Sequence, residues 1–341
     1  MVYKKTIAII ACDHGYGHVR RALILSNALA KNSWTVYLFA PKAAVNKLMS
    51  NYGLNRGVVT INFNSVTTMD SLRNGKAINW YKYLPSMNYY DLVLCDNLVE
   101  ILEVRSDAIL SGSFLWHFVS EDLDSDIVAR AEILLKTYKP IMIASSLFAS
   151  KELYKITKLK SVGLFVSELP PANIERGKDL LVSCGMSNEL VEDFRKLVDN
   201  LAKGPKPPFN TVWIEPRLMP PTVPVWMKTA KFNSFMLTSL NAAICRPGVG
   251  TLTDCLWGGA RVFCCYEKGN KEMKDNAIAI NNAGVGEYFS SPEGAFYNAK
   301  CYVQDDEKIK KHYASLKQLD FNGTPKAVSI IQEIYTKKFG T

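Results

Sequence analysis

The sequence predicts an α/β protein made of two parallel-sheet domains in tandem. Three observations carry that expectation. Short apolar runs alternate with stretches of helical spacing, glycine-containing turns follow the first apolar run of each half, and the rhythm breaks at Ser167 to Lys178, where Pro170-Pro171 precedes a charged stretch. A chain of 341 residues is long enough for two domains of ordinary size.

The first strand is read at Thr6 to Cys12 (TIAIIAC), which runs into the turn Gly15-Tyr16-Gly17. Apolar residues then recur at Val19, Ala22, Leu23, Leu25, Ala28 and Leu29, the spacing of a helix face. A strand at Thr35 to Phe39 and a helix at Ala43 to Tyr52 complete the opening of a βαβ unit. Further strands are expected at Val58 to Phe63, Asp91 to Cys95, Ala108 to Leu110, Pro140 to Ala144 and Ser161 to Phe165. Between them, Asn64 to Tyr90 is polar, aromatic and weakly patterned, as a substrate-binding loop would be.

After the break the pattern restarts with a strand at Asp179 to Cys184, the turn Gly185-Met186-Ser187-Asn188 and a helix at Glu189 to Ala202. Strands follow at Asn210 to Ile214, Ala242 to Cys245 and Arg261 to Tyr266, with helices at Arg246 to Gly258 and Asp275 to Ala283. The expected division is residues 1–168, a linker at 169–178, a second domain at 179–324, and a last helix within 325–341 that packs back on the first domain. Two successive βα series describe Rossmann-like domains facing across a cleft, with ligands at the carboxyl ends of both sheets.

Composition narrows the function. Apolar residues make up 48% and charged residues 21%, so the chain can bury real cores and is not a disordered tail. No apolar run approaches bilayer length, and the apolar start lacks a cleavage site, which points to a cytoplasmic protein. None of the eight cysteines forms a C-x-x-C pair, and most sit in strand-like contexts, as reduced core thiols do. Lys plus Arg exceed Asp plus Glu by 41 − 32 = 9, a basic excess that suits anionic partners, including an anionic face of the inner membrane.

Two segments carry the chemistry. In DHGYGHVRR, Asp13 to Arg21, glycines let the chain turn sharply and set His18 at the start of a helix. The positive end of a helix favours a neutral imidazole able to accept a proton, so His18 is the candidate base. His14 is open between structure, substrate binding and that same role. Arg21 and Arg20 are open between steering an anionic substrate and lying solvated on the helix.

In the second segment, Cys245 to Asn276, Gly248 and Gly250 precede a helix start bearing Thr251. Backbone N–H groups there make a diphosphate cradle without a metal. Asp254 follows at a spacing that suits ribose hydroxyls. Gly185, Ser187 and Asn188 in the second domain's first turn either touch phosphate or cap a helix. Asp96 either orients His18 or caps a helix beginning at Asn97. His312, on a charged helix, is expected at the surface, while Trp116 and His117 are expected to pack.

The stretch GYGHVRRALILSNAL resembles the G-x-G-H-x-x-R amino-terminal signature of GT-B glycosyltransferases. RPGVGTLTDCLWGGARVF, with Glu272 to Ala277 and Gly284 to Gly286 after it, is similar to their donor-binding signature. The resemblance extends to the lipid II-forming N-acetylglucosaminyltransferase and to the UDP-sugar hydrolase of the pseudaminic-acid pathway. It implies that His18 is the acceptor base, that Gly248, Gly250 and Thr251 hold the donor diphosphate and that Asp254 binds ribose, with Asp96 resembling the acidic partner of such bases and Glu272 the acidic residue that grips the donor sugar; Gly17, Gly185, Ser187, Arg246 and Asn276 are further donor-binding candidates. It departs from the pattern at Asp254, where relatives usually carry Glu, and at Met273, where many carry Gln.

The function so implied is metal-independent inverting transfer of a sugar from a nucleoside diphosphate, UDP being the commonest in relatives, to an acceptor hydroxyl. No cofactor is expected, because the nucleotide-sugar is a substrate. The expected acceptor is a glycolipid or glycan precursor, with a modified DNA base as a lesser choice. Two alternatives stay open: a nucleotide-sugar hydrolase and a non-catalytic sugar-nucleotide-binding protein.

Overall fold

The computed structural model describes residues 4–65, 69–76, 79–171 and 177–340. Residues 66–68 and 77–78 of the expected binding loop and 172–176 of the expected linker lie outside the described residues, as do the first three residues and Thr341. The chain divides into two compact units, one made of residues 1–167 and 322–341, the other of 168–321.

The first unit holds seven parallel strands: β1 (Thr6–Ile10), β2 (Thr35–Ala40), β3 (Val58–Asn62), β4 (Leu92–Asp96), β5 (Ile109–Ser111), β6 (Ile141–Ser145) and β7 (Lys158–Val162). Their spatial order is β3-β2-β1-β4-β5-β6-β7, so the chain reverses its direction of winding between β1 and β4. Such a switch point opens a crevice beyond the strand ends. β4 is buried along its whole length, as a central strand covered on both faces must be.

One face of this sheet is covered by α1 (Tyr16–Lys31), α2 (Lys42–Tyr52) and the chain's last helix, Gly323–Phe339. Leu23, Val45, Ile331 and Tyr335 interlock there with Ile7, Ile9 and Leu94. Gly323 admits no side chain, since a Cβ would overlap the Gly163 carbonyl. The other face is covered by α3 (Ser125–Tyr138) and short helical turns, through Ile127, Leu134, Trp80 and Met87. The described part of the expected loop sends Leu72, Trp80, Tyr81 and Met87 into this core, while Tyr83 and Tyr89 stay exposed; the Trp80 indole N–H donates to the buried Glu100 at 3.2 Å.

The second unit has six parallel strands, β8 (Asp179–Ser183), β9 (Val212–Ile214), β10 (Met227–Thr229), β11 (Leu240–Cys245), β12 (Arg261–Cys264) and β13 (Gly286–Tyr288), in the order β10-β9-β8-β11-β12-β13. Its switch point lies between β8 and β11. Around it pack α4 (Val191–Lys203), α5 (Val249–Trp257), α6 (Lys271–Asn282), α7 (Pro292–Val303) and α8 (Asp306–Leu316).

Two local expectations are corrected. The turn glycine of the first segment is Gly15, which caps α1 with φ +94°; Gly17 lies inside the helix. His312 is fully buried instead of exposed, because Ile309, His312 and Leu316 share the inner face of α8. Its Nε2–H donates to the Gly259 carbonyl at 3.0 Å, and burial pulls its pKa down to about 4. All eight cysteines are free thiols, seven of them buried.

Candidate active site

In the first unit, the switch point brings two segments together. β1 ends at Ile10 and leads to the helix carrying His18, while the neighbouring β4 ends on Asp96. Asp96 has no accessible surface. His18 Nδ1 lies 2.6 Å from its Oδ1. Arg21 adds a two-pronged grip, Nε to Oδ2 at 2.7 Å and Nη2 to Oδ1 at 2.8 Å. The Ser111 hydroxyl donates to Oδ2 at 3.1 Å, because β5 pairs with β4 in the register that sets Ser111 beside Asp96.

Burial alone would raise the Asp96 carboxyl, yet the Arg21 guanidinium and then His18 outweigh it and hold the carboxyl below its usual range. An ionised carboxylate only accepts hydrogen bonds, so His18 Nδ1 carries the proton. Among the described residues no protein group makes a hydrogen bond with Nε2. The His18 side chain keeps 12% of its surface accessible, enough for Nε2 to meet a small group. The arrangement fixes the orientation of the ring.

Asp96 caps no helix, because the next helical turn begins at Val99. Asn97 instead sits in left-handed backbone (φ 59°) and, with its amide nitrogen turned toward them, donates to the Ser111 and Phe114 carbonyls at 3.1 and 3.0 Å. That brace fixes the segment bearing Phe114 and Trp116, which wall the imidazole. Ring centroids of His18 lie 6.3 Å from Phe114 and 5.9 Å from Trp116, and His14 packs edge-on against Trp116 at 5.0 Å. His117, beside them, has its pKa pulled to about 4 by burial.

The two arginines are not solvated helix charges. Arg21 retains 7% and Arg20 6% of their surface. Arg20 donates to the Phe165 carbonyl at 3.1 Å and to the Tyr52 hydroxyl at 2.7 Å, so it braces α1 against its neighbours.

In the second unit, the loop after β11 runs through Arg246 and Pro247 to Gly248, which is the N-cap of α5 with φ −70°. No side chain caps this helix, so the N–H groups of Val249, Gly250 and Thr251 point out from its positive end. A Cβ placed on Gly248 would meet nothing within 4 Å, so the space above the helix start is open. Thr251 is partly exposed on the first turn and Asp254 partly exposed on the second.

Neighbouring groups hold this loop. Asn276 is buried in α6 and donates to the Pro247 carbonyl at 3.0 Å, so it touches the loop through its backbone. Arg246 Nε lies 2.7 Å from Glu267 Oε1. Glu272 sits in the first turn of α6, half-buried. Gly185, after β8, takes φ 58° and lies within van der Waals reach of Arg246. Its N–H donates to Glu215 Oε2 at 3.0 Å, and Arg217 donates to its carbonyl. Ser187 is buried and accepts the Leu190 N–H at 3.1 Å within the turn ahead of α4, a helix whose N-cap, Leu190, makes no side-chain cap.

The sequence reading missed Ser111, Glu215, Arg217 and Glu267. Only the strand register brings Ser111 to Asp96, and Glu215 and Glu267 follow strands without a glycine signature. Among the described residues no group of three or more His, Cys, Asp or Glu is placed to hold a metal ion, and no helix is long and apolar enough to cross a membrane.

No protein-family model matches the sequence, and no curated protein matches it either. Solved structures match throughout its length. The calicheamicin glycosyltransferase CalG4 superposes with a TM-score of 0.64 at 15% identity, over 99% of this chain and 100% of its own. LpCGTa in complex with UDP does so at 0.64 and 12% identity, over 98% and 100%. UGT89C1 of Arabidopsis thaliana, complexed with quercetin, gives 0.62 and 13%, over 96% and 99%. At such identities the likeness defines architecture: two parallel α/β sheets in the GT-B glycosyltransferase fold.

Proposed function

We propose that this chain is a nucleotide-sugar-dependent glycosyltransferase in which His18 is the general base. The observation that carries the reading is the His18–Asp96 contact of 2.6 Å, which leaves one imidazole nitrogen as an oriented proton acceptor. The base takes the proton of an acceptor hydroxyl as the oxygen attacks the anomeric carbon, and the nucleoside diphosphate leaves from the opposite face. Configuration inverts in this single displacement.

The leaving diphosphate gains negative charge as the glycosidic bond breaks. We assign its stabilisation to the uncapped start of α5 at Gly248 to Thr251, with amide dipoles in place of a metal ion. Thr251 adds a hydroxyl, Asp254 the ribose contact, and Glu272 a grip on the sugar hydroxyls. Gly185, Ser187, Arg246 and Asn276 support the same loop of the second unit, and Gly17 is a further donor-binding candidate in the first. UDP is the base-bearing diphosphate we favour, supported by the UDP complex of LpCGTa.

For the acceptor we favour a glycolipid or glycan precursor. Exposed Lys136, Lys139, Lys151, Lys155, Lys158 and Lys160 follow one another at the end of α3 and along β7, a cationic flank suited to an anionic membrane face.

A donor panel tests the reading. Nucleotide release should require a nucleoside diphosphate-sugar, rise with an acceptor alcohol, and yield the inverted anomer by NMR. Release at the same rate without acceptor would make the chain a hydrolase, and no release from any donor would overturn catalysis.

A further inference from the structure

Asp96 accepts from two side chains of α1 at once, the His18 imidazole and the Arg21 guanidinium. Its Oδ1 accepts from His18 Nδ1 and Arg21 Nη2, and its Oδ2 from Arg21 Nε and Ser111. All four bonds are made inside the protein, with no accessible surface on the carboxylate. A carboxylate paired with histidine alone would attract a proton to the imidazole and rest as an ion pair. Here a guanidinium already matches the negative charge, and Arg21 Nη2 stands 3.5 Å from Nδ1 itself. Protonating Nε2 would put a second positive charge against the first in a water-poor setting.

We propose that Arg21 is a positioning residue: by gripping both oxygens of Asp96 and matching its charge, it holds the carboxylate as the acceptor of the His18 Nδ1–H and so sets which way Nε2 faces. The other charged or titratable groups around His18 are few. Asp96 comes from β4 and Arg21 from its own helix, while His14 lies across Trp116; the remaining walls are Phe114 and Trp116. Arg21 is therefore the one cation on the Asp96 side of the ring among the described residues.

This inference rests on the reading of His18 as a base, but its first readout needs no donor. The histidine ring nitrogens of the resting protein are observed by NMR and His18 is assigned from its loss in His18→Ala. His117 and His312, both pulled to about 4, stay out of the neutral range. Arg21→Met should replace the single Nδ1–H pattern of His18 by a mixture of ring tautomers, and kcat should fall about tenfold or more while the Kd for the nucleoside diphosphate stays within about twofold. Arg21→Lys, which restores the charge with a single donor group, should bring both back toward wild type. If Arg21→Met does not melt cooperatively, Arg21→Gln, a neutral side chain that still donates a hydrogen bond, is read in its place. An unchanged Nδ1–H pattern in the neutral variant, with the fold intact, overturns the proposal and leaves Arg21 as a structural brace. A mixed pattern in a protein that turns over no donor would instead sink the transferase reading alone.

Discussion

Asp96 and Ser111 stand side by side on adjacent parallel strands, and their hydrogen bond of 3.1 Å completes the saturation of a carboxylate that no solvent reaches. Asp96→Asn keeps the shape and removes the charge. Breaking a buried ion pair leaves the Arg21 guanidinium uncompensated, which costs about 3–5 kcal/mol. Turnover should fall by about 10²–10⁴-fold as the base loses its orienting anion. Thermal melts and steady-state kinetics on the one protein check both; an unchanged melting temperature would show that Arg21 does not depend on this carboxylate.

Gly248 offers a cleaner separation of folding from binding. Its φ of −70° is open to any residue, and a side chain there meets nothing within 4 Å. Gly248→Val should therefore melt like the parent while filling the space over the first-turn N–H groups. Calorimetry should detect no binding of UDP or a UDP-sugar. Undiminished affinity would move the diphosphate site away from α5.

Asn276 should act on the same site indirectly. Asn276→Ala removes its bond to the Pro247 carbonyl and leaves that acceptor buried, a cost of about 1–3 kcal/mol. Because the bond steadies the loop and not the ligand, donor affinity should weaken several-fold while kcat at saturating donor stays within about twofold. Loss of kcat with donor affinity intact would instead put Asn276 in the chemistry.

The pH dependence of stability follows from two buried histidines. His117 and His312 have folded pKa values near 4 against an ordinary 6.5, set by burial. Between pH 6.5 and 4 the unfolded chain binds protons there that the folded one does not, so stability is lost as pH falls through that window. Each site contributes up to about 3 kcal/mol by pH 4. Asp96, whose carboxyl is held below its usual range, costs stability only at still lower pH. His312→Gln keeps a donor for the Gly259 carbonyl without a titrating ring, so its melting temperature should drop less between pH 7 and 5 than the parent's. Equal drops would show that His312 takes up its proton alike in the folded and unfolded chain, against the burial effect.

The fold was largely legible because the central strands are continuous apolar runs, as TIAII and LVLCD show, and both faces of each sheet are covered. Edge elements were not. The sequence places the seventh strand at Ser161 to Phe165, three residues late, because the true strand exposes Lys158 and Lys160 while Leu164 and Phe165 are buried just after it. Three-residue strands such as Gly286–Tyr288 have no periodicity to read. At the site, glycines marked both turns, but Arg21 and Asp96 are 75 residues apart and only sheet order joins them. His312 misled because its helix is charged on three sides and its inner face is narrow.

The central claim is that Nε2 of His18 takes the acceptor's proton, and the kinetics of His18→Ala test it most directly. With a donor that the wild type uses, kcat should fall by about 10²–10⁴-fold while the Kd for the nucleoside diphosphate stays within about twofold. Wild-type turnover in that variant would contradict the account outright.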